Sequence, residues 1–455
     1  MSAEVKSMTQ GKPGKLIFFF AIPLMLGNMF QQFYTIADTL IVSRVLGVNA
    51  LAALGAADWY NYMMLSVVQA IAQGFSILLA QDFGAEKYAH LKKATAHAIS
   101  LSVILTLLLT AAAQLSLNPV LALLRTPQEV RPMTFLYLRI IFAGIPAQML
   151  FNFGASVLRA LGNSRSPLHA MVFSSFMNIG LDLLFVLGFH FGITGAAVAT
   201  VISQAASGIW CLLVIRKIPY LRISRQDFQR EKGLDGRLLF LSVPMVLQNV
   251  LISVGGMIVE YVANGMGVTF VAGFTATNKL YGAIEMAAVA YGYSMVTYMG
   301  QNYGAGRSDR IRKGYRSAIL IAIATGAVLG YGMILAGHAV TGAFLTGNSA
   351  EANQARQIAF HYLFIVCSTL PILYVLHVTR SALQGLGDTV MPMVSGVAEF
   401  AMRTFMALVM TGVLGGVSIM YGEVVAWIGA DLILAEALIG RFKKLPAEAG
   451  QTAEM

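Results

Sequence analysis

Twelve apolar stretches, each long enough to cross a bilayer, fill this chain of 455 residues, and the second six repeat the first six. About 20 apolar residues span the roughly 30 Å hydrocarbon core as a helix. The spacing predicts spans over 16–44, 52–80, 94–117, 133–158, 167–189 and 192–215, then over 237–263, 270–300, 317–344, 358–384, 392–414 and 417–440. The expected fold class is therefore an all-α integral membrane protein, with twelve transmembrane helices in two six-helix repeats. Six spans return a chain to its starting side, so the copies run parallel and a pseudo-two-fold axis along the membrane normal is expected between them. The expected organisation is an N-terminal tail (1–15), an N-lobe (16–215), an inter-lobe linker (216–236), a C-lobe (237–440) and a C-terminal tail (441–455).

The repeat is legible residue by residue. Leu16–Pro23 (LIFFFAIP) resembles Leu238–Pro244 (LLFLSVP), Gln81–Ala85 (QDFGA) resembles Gln301–Ala305 (QNYGA), and Ser156–Gly162 resembles Ser381–Gly387. One register, offset by 220 to 225 residues, holds across a whole half.

Charged residues make up 11% of the chain against about 25% in an ordinary soluble domain, so no water-facing surface of normal size can be built. A net charge of +10 suggests nucleic acid, but the placement of the charges excludes it. Of 31 Lys and Arg, 24 fall in the tails and one alternating set of loops, four (Arg44, Arg125, Arg131 and Arg356) in the opposite loops, and three inside spans. The positive-inside rule puts both termini in the cytoplasm. The start of the chain lacks a cleavable signal pattern, and the short loops suit the inner membrane of a prokaryotic cell. Cys211 and Cys367 fall in separate apolar segments and read as buried free thiols.

Carboxylates inside spans are costly, about 2.5–3.5 kcal/mol or more each at a helix centre, which makes them functional candidates. Asp38 in helix 1 and Asp182 in helix 5 are the clearest. Helix rise puts both about 10–12 Å below the outer surface, with Thr200 of helix 6 at a similar depth. Asn178 lies one turn from Asp182 on the same face. Four oxygen-bearing side chains at one level suit a small cation, sodium or a proton. Plain hydrogen bonding between helices is the alternative, but a neutral Asn would serve it at lower cost. Under the repeat register Asn178 falls on Arg403, Asp182 on Ala407 and Thr200 on Val424. An arginine repels a cation, so the coupling site is expected in the N-lobe alone. Glu399, one turn before Arg403, is expected to form a structural ion pair with it.

The run Pro23, Asn28, Gln31–Tyr34, Asp38–Thr39, Arg44 and Leu46–Gly47, the Gln-x-[Phe/Tyr]-Gly-Ala helix ends and the Leu-Gly-Asn/Asp turns resemble the multidrug and toxic compound extrusion family over roughly residues 12–440. That resemblance implies a twelve-helix, two-lobed exporter exchanging sodium ions or protons for organic, usually cationic, compounds. It implies ion ligands at Asp38, Asn178, Asp182 and Thr200, and a hinge at Pro23, where a mid-helix proline removes a backbone hydrogen bond. Candidate substrate-cavity residues are Gln31, Tyr34, Gln148, Asn152, Met177, Met257, Glu260 and Tyr281, because thioethers and aromatic faces suit bulky hydrophobic cations.

The partners expected are small organic cations or drugs and membrane lipids, with no nucleic acid, and the chain is expected to be a monomer. No cofactor beyond the coupling ion, Na+ or H+, is expected. A flippase for lipid-linked precursors, or a metabolite exporter of the same superfamily, is the alternative within transport; the spans hold more acids than bases, against the strongly basic cavity such flippases tend to show. An intramembrane enzyme is disfavoured, since no clustered Asp motif, His/Cys metal spacing or nucleotide-binding loop is present.

Overall fold

Apolar helices with small residues at their contacts make up nearly all of the computed structural model, which describes residues 5–124, 126–345 and 349–445. Arg125 and the outer parts of both tails lie outside the described residues. The first half contains α1 (Pro13–Leu46), α2 (Val48–Gly84), α3 (Tyr88–Leu123), α4 (Arg131–Ala143), α5 (Ile145–Ala160), α6 (Arg165–Asp182) and α7 (Ile193–Ile215). The second contains α8 (Leu234–Asn264), α9 (Val268–Gly304), α10 (Ser308–Phe344), α11 (Ala350–Ser368), α12 (Leu370–Gly385), α13 (Val390–Phe405), the single turn α14 (Thr411–Leu414) and α15 (Val417–Lys444). Every expected span falls on one of these helices, on a bent pair or on a helix continued by a π-helical turn.

Two spans expected as single helices are broken. α4 meets α5 at 46° and α11 meets α12 at 48°. Each break sits one or two residues before a proline, Pro146 or Pro371, whose missing N–H and ring clash end the preceding hydrogen-bond ladder. Two other spans change winding: residues Leu183–Gly188 after α6 and Met406–Met410 after α13 form π-helical turns. Among the described residues, nine helices are apolar enough to cross a membrane by themselves and the bent pairs bring the count to eleven. The twelfth, α9, is 37 residues long, but Lys279, Glu285 and its run of Tyr, Ser and Thr lower its hydropathy.

The repeat recurs in the backbone. Positive φ angles pair Gly47 with Gly267, Glu86 with Gly306, Gly162 with Gly387 and Gly192 with Gly415. The last pair has an offset of 223, which sets Thr200 against Glu423 and corrects the expected match with Val424.

The chain divides into two units. Unit 1 contains Ile22–Val246 and the segment up to Ser7; unit 2 contains Met8–Ala21 and the chain from Leu247. This differs from the expected lobe boundaries at 16 and 237. α1 is shared at Ala21/Ile22, beside Pro23, and α8 is shared at Val246/Leu247, beside Pro244.

In unit 1, α5 and α7 run side by side because glycines remove the obstruction: a Cβ on Gly154 would lie 2.8 Å from Cys211 Cβ, and one on Gly208 2.8 Å from Leu150 Cγ. Small residues at such contacts give close van der Waals packing, which drives helix association in lipid. Large aliphatic residues point outward instead; Leu107 and Leu108 of α3 are each 62% exposed. Cys211 and Cys367 are buried free thiols.

Gly154→Val is expected to destabilise the protein by about 1–3 kcal/mol through overpacking. Thermal unfolding in detergent checks this, and an unchanged melting temperature would contradict the α5–α7 geometry.

Candidate functional site

The acid pair of unit 1 is set by how α1 lies along α6. Gly27 admits Met171, whose Sδ would be 2.8 Å from a Cβ there, and Ser175 Oγ donates to the Phe30 carbonyl at 3.3 Å. These contacts are 144 and 145 residues apart in sequence, and the first separation carries Asp38 to the level of Asp182. Their carboxylates interact electrostatically. α7 completes the level, with Asn178 Nδ2 donating to Thr200 Oγ1 at 3.4 Å.

Asp38 is 8% exposed, Asn178 1% and Asp182 fully buried. Asp38 Oδ1, Asn178 Oδ1 and both Asp182 oxygens have no hydrogen-bond donor among the described residues. Buried acceptors left in this state cost about 1–3 kcal/mol each, more for a charge. Polar groups this deep are ordinarily paired, so the four oxygens call for a proton, a cation or water. The donor set is all hard oxygen with no nitrogen or sulfur, which fits sodium or a proton and not a transition metal. The described residues contain no cluster of three or more His, Cys, Asp or Glu of the kind that holds a metal ion. The π turn that starts at Leu183 follows Asp182 directly, and such turns often occur at functional positions.

The polar surroundings extend toward the basic end of the helices. The Tyr34 hydroxyl lies beside the Gln31 and Gln204 side chains. Gln148 and Asn152 are buried, Asn152 Nδ2 donates to the Gln148 carbonyl at 2.8 Å, and Gln148 Oε1, Ser203 Oγ and Gln204 Oε1 lack partners among the described residues. Met177 is half-buried beside Asn178. Tyr137 of α4, which the sequence reading missed, is 8% exposed and in electrostatic reach of both Asp38 and Asp182. A lone tyrosine in an apolar span carries no signal of this role. Only the α4–α5 break, with Pro146 behind it, marks that helix as irregular.

The candidate cavity residues are divided between the units. Gln31, Tyr34, Gln148, Asn152 and Met177 belong to unit 1, and Met257, Glu260 and Tyr281 to unit 2, where Tyr281 stacks on Trp427 at 6.0 Å. Pro23 lies two residues past the Ala21/Ile22 division of α1.

In unit 2 the equivalent level is filled by ion pairs. Arg403 Nη2 contacts Glu423 at 2.6 Å and Glu399 at 3.8 Å, and Arg380 pairs with Glu399. The expected Glu399–Arg403 pair is therefore the longer link in a chain of four charges. Arg380, counted as a loop residue in the sequence, is buried inside α12. Spacing revealed the i, i+4 pair within α13, but not partners on α12 and α15.

The chain matches the MatE family pattern over residues 23–184 and 244–409. It is 33% identical to the probable multidrug resistance protein YpnP of Bacillus subtilis (strain 168) over 67% of this chain and 68% of that protein. It is 26% identical to an FAD transporter of Shewanella oneidensis over 66% of this chain and 67% of that one. Among solved structures, a MOP superfamily transporter from Pyrococcus furiosus, described as having a binding pocket of reversed polarity, superposes with a TM-score of 0.88 at 23% identity, covering 96% of this chain and 98% of that one. With the fold, the two-part repeat and the family pattern all in agreement, this chain belongs to the MatE family.

Proposed function

We propose that this chain is a secondary active exporter of organic, mostly cationic, compounds, driven by antiport of Na+ or H+ through the Asp38–Asp182 site. The observation that carries this reading is the set of buried, donor-less oxygens on Asp38, Asn178 and Asp182. The multidrug resistance names of the relatives support the cargo class. Both termini lie in the cytoplasm of a prokaryotic cell, the protein spans the inner membrane, and it acts as a transporter, not an enzyme.

An ion drives transport only if it binds two conformations with different affinity. With the site empty, two carboxylates confront each other at low dielectric, which strains the level they share. Loading from outside removes that repulsion and favours the conformation that releases cargo; loss of the ion to the cytoplasm restores the cargo-binding state. Pro23 supplies the bend in α1 through which the charge at Asp38 reaches Gln31 and Tyr34.

Export of an anionic metabolite is the second reading, prompted by the FAD transporter among the relatives. Arg403 is already matched by Glu423 and Glu399, and Arg380 by Glu399, which favours cationic cargo.

Ethidium efflux from cells or everted vesicles, with sodium and pH gradients imposed independently, tests the reading. Asp38→Asn is expected to cut gradient-driven efflux by about tenfold or more in protein that still inserts; undiminished efflux would overturn the proposal. Pro23→Ala is expected to insert normally but export poorly, and wild-type export would remove its hinge role. Arg403→Leu is expected to cost about 3–5 kcal/mol of stability, because it strands Glu423 while Glu399 keeps only Arg380. Unfolding of the purified variant measures that cost, and wild-type stability would contradict the structural role of the pair.

A further inference from the structure

The Gln-x-[Phe/Tyr]-Gly-Ala ends of α2 and α9 sit at equivalent places in the two repeats, and each holds the segment that precedes a unit-crossing helix. In unit 2, Gln301 Oε1 accepts the Met8 N–H at 2.8 Å. Arg310 completes that seat: its Nε donates to Asn302 Oδ1 at 2.9 Å, Nη1 to the Gly11 carbonyl at 2.9 Å and Nη2 to the Met8 carbonyl at 3.0 Å. In unit 1, 220 residues earlier, Gln81, Asp82 and His90 occupy the positions of Gln301, Asn302 and Arg310. Their partner is the end of the inter-lobe linker with the first turn of α8. Arg237 Nη2 donates to Gln81 Oε1 at 3.4 Å, and His90 Nδ1 bonds Asp82 Oδ2 at 2.6 Å while its Nε2 faces Glu231 at 3.7 Å.

A second imidazole reinforces this seat. His97, 5% exposed, places Nδ1 2.7 Å from Asp235 Oδ1 and Nε2 3.1 Å from the Gln229 carbonyl oxygen. A carbonyl cannot donate, and a carboxylate accepts, so both contacts are made only when both ring nitrogens carry hydrogen. His90 can donate to Asp82 in either state, but its attraction to Glu231 at 3.7 Å is purely ionic and needs the imidazolium. A neutral His97 would leave one of its two acceptors facing a lone pair, and a neutral His90 would lose its charge attraction to Glu231.

The remaining charges around the two rings complete the environment. Lys93 pairs with Glu231 at 3.1 Å, Arg237 lies close enough to His90 to oppose its charge, and Lys92 and Lys93 act on Asp227. Asp227 is held below the usual carboxylate range by the Ser224 backbone amide and hydroxyl, which fix the linker turn Arg225–Phe228. Tyr220 of the linker rests on Tyr88 and Phe83 at 5.1 and 5.9 Å between ring centres.

We propose that residues 229–237, the end of the linker and the first turn of α8, form a proton-operated latch, seated on the ends of α2 and α3 while His90 and His97 are imidazolium and released when the rings lose their protons. The matching seat in unit 2 does not respond to pH, because a guanidinium stands where His90 stands and keeps its charge throughout the physiological range. The two repeats thus hold one fixed strap and one switchable strap. Arg237 and Asp235 open α8, so release of the linker frees the half of α8 that packs with unit 1.

Hydrogen–deuterium exchange on the full-length protein in lipid nanodiscs tests this at pH about 6 and about 8, on either side of the ordinary imidazole value. After correction for the chemical rate, amides 229–235 are expected to exchange about tenfold faster at the higher pH, in line with the loss of charge-assisted hydrogen bonds. Amides 8–12 are expected to show no such step. The double variant His90→Gln with His97→Gln should exchange rapidly at both values. His90→Arg, which copies the unit 2 seat, should shrink the step and keeps the test decisive if the double variant does not fold. A wild-type linker with equal protection at both values, or an undiminished step in either variant, would overturn the proposal.

Discussion

Carboxylates in a low-dielectric helix bundle need a partner, and unit 1 gives its pair too few. Asp182 is fully enclosed with both oxygens unsatisfied among the described residues, and Asp38 reaches the same level from α1. Removing an ion from water costs several kcal/mol even after relaxation, and the proposed function gives this pair an occupant that offsets that cost. The surrounding architecture serves this requirement. Gly27 lets α6 approach α1, the glycines of α5 and α7 bring those two helices together, and the π turn begins where Asp182 ends.

The two repeats have turned one helix-packing scheme into two kinds of chemistry. At the contact between the fifth and sixth spans, Asn178 meets Thr200 in a neutral hydrogen bond beside unpaired acids. At the matching contact in the second half, Arg403 meets Glu423 at 2.6 Å, and its charge is shared onward to Glu399. Under the proposed function, the first arrangement leaves negative charge available to a mobile cation. The second neutralises it with a cation that cannot leave. The basic end shows the same divergence: a titratable imidazole at 90 stands opposite a permanent guanidinium at 310.

Much of this was legible in the sequence because membrane constraints are simple. Spans follow from length and hydropathy, the repeat from short motifs, and Asp38 and Asp182 stand out because acids are rare in spans. Asn178 and Thr200 followed from helical spacing. What escaped depends on non-local geometry. The α4–α5 and α11–α12 bends turn on where a proline falls relative to its neighbours' hydrogen bonds. The match of Thr200 to Glu423 needs the loop offset fixed by Gly192 and Gly415, which hydropathy does not register. Arg380 looked like a loop charge because it lies near a helix end, yet the fold buries it against Glu399. Tyr137 carries no sequence mark at all.

The most direct test of the central claim is to count ions at the acid pair in the absence of transport. Proton release and sodium binding are measured on purified protein as cargo is added, in the wild type and in Asp182→Asn. The account predicts that cargo binding expels about one proton or sodium ion per wild-type protein and none from the variant. Equal release from both would place the coupling ion elsewhere and contradict the account.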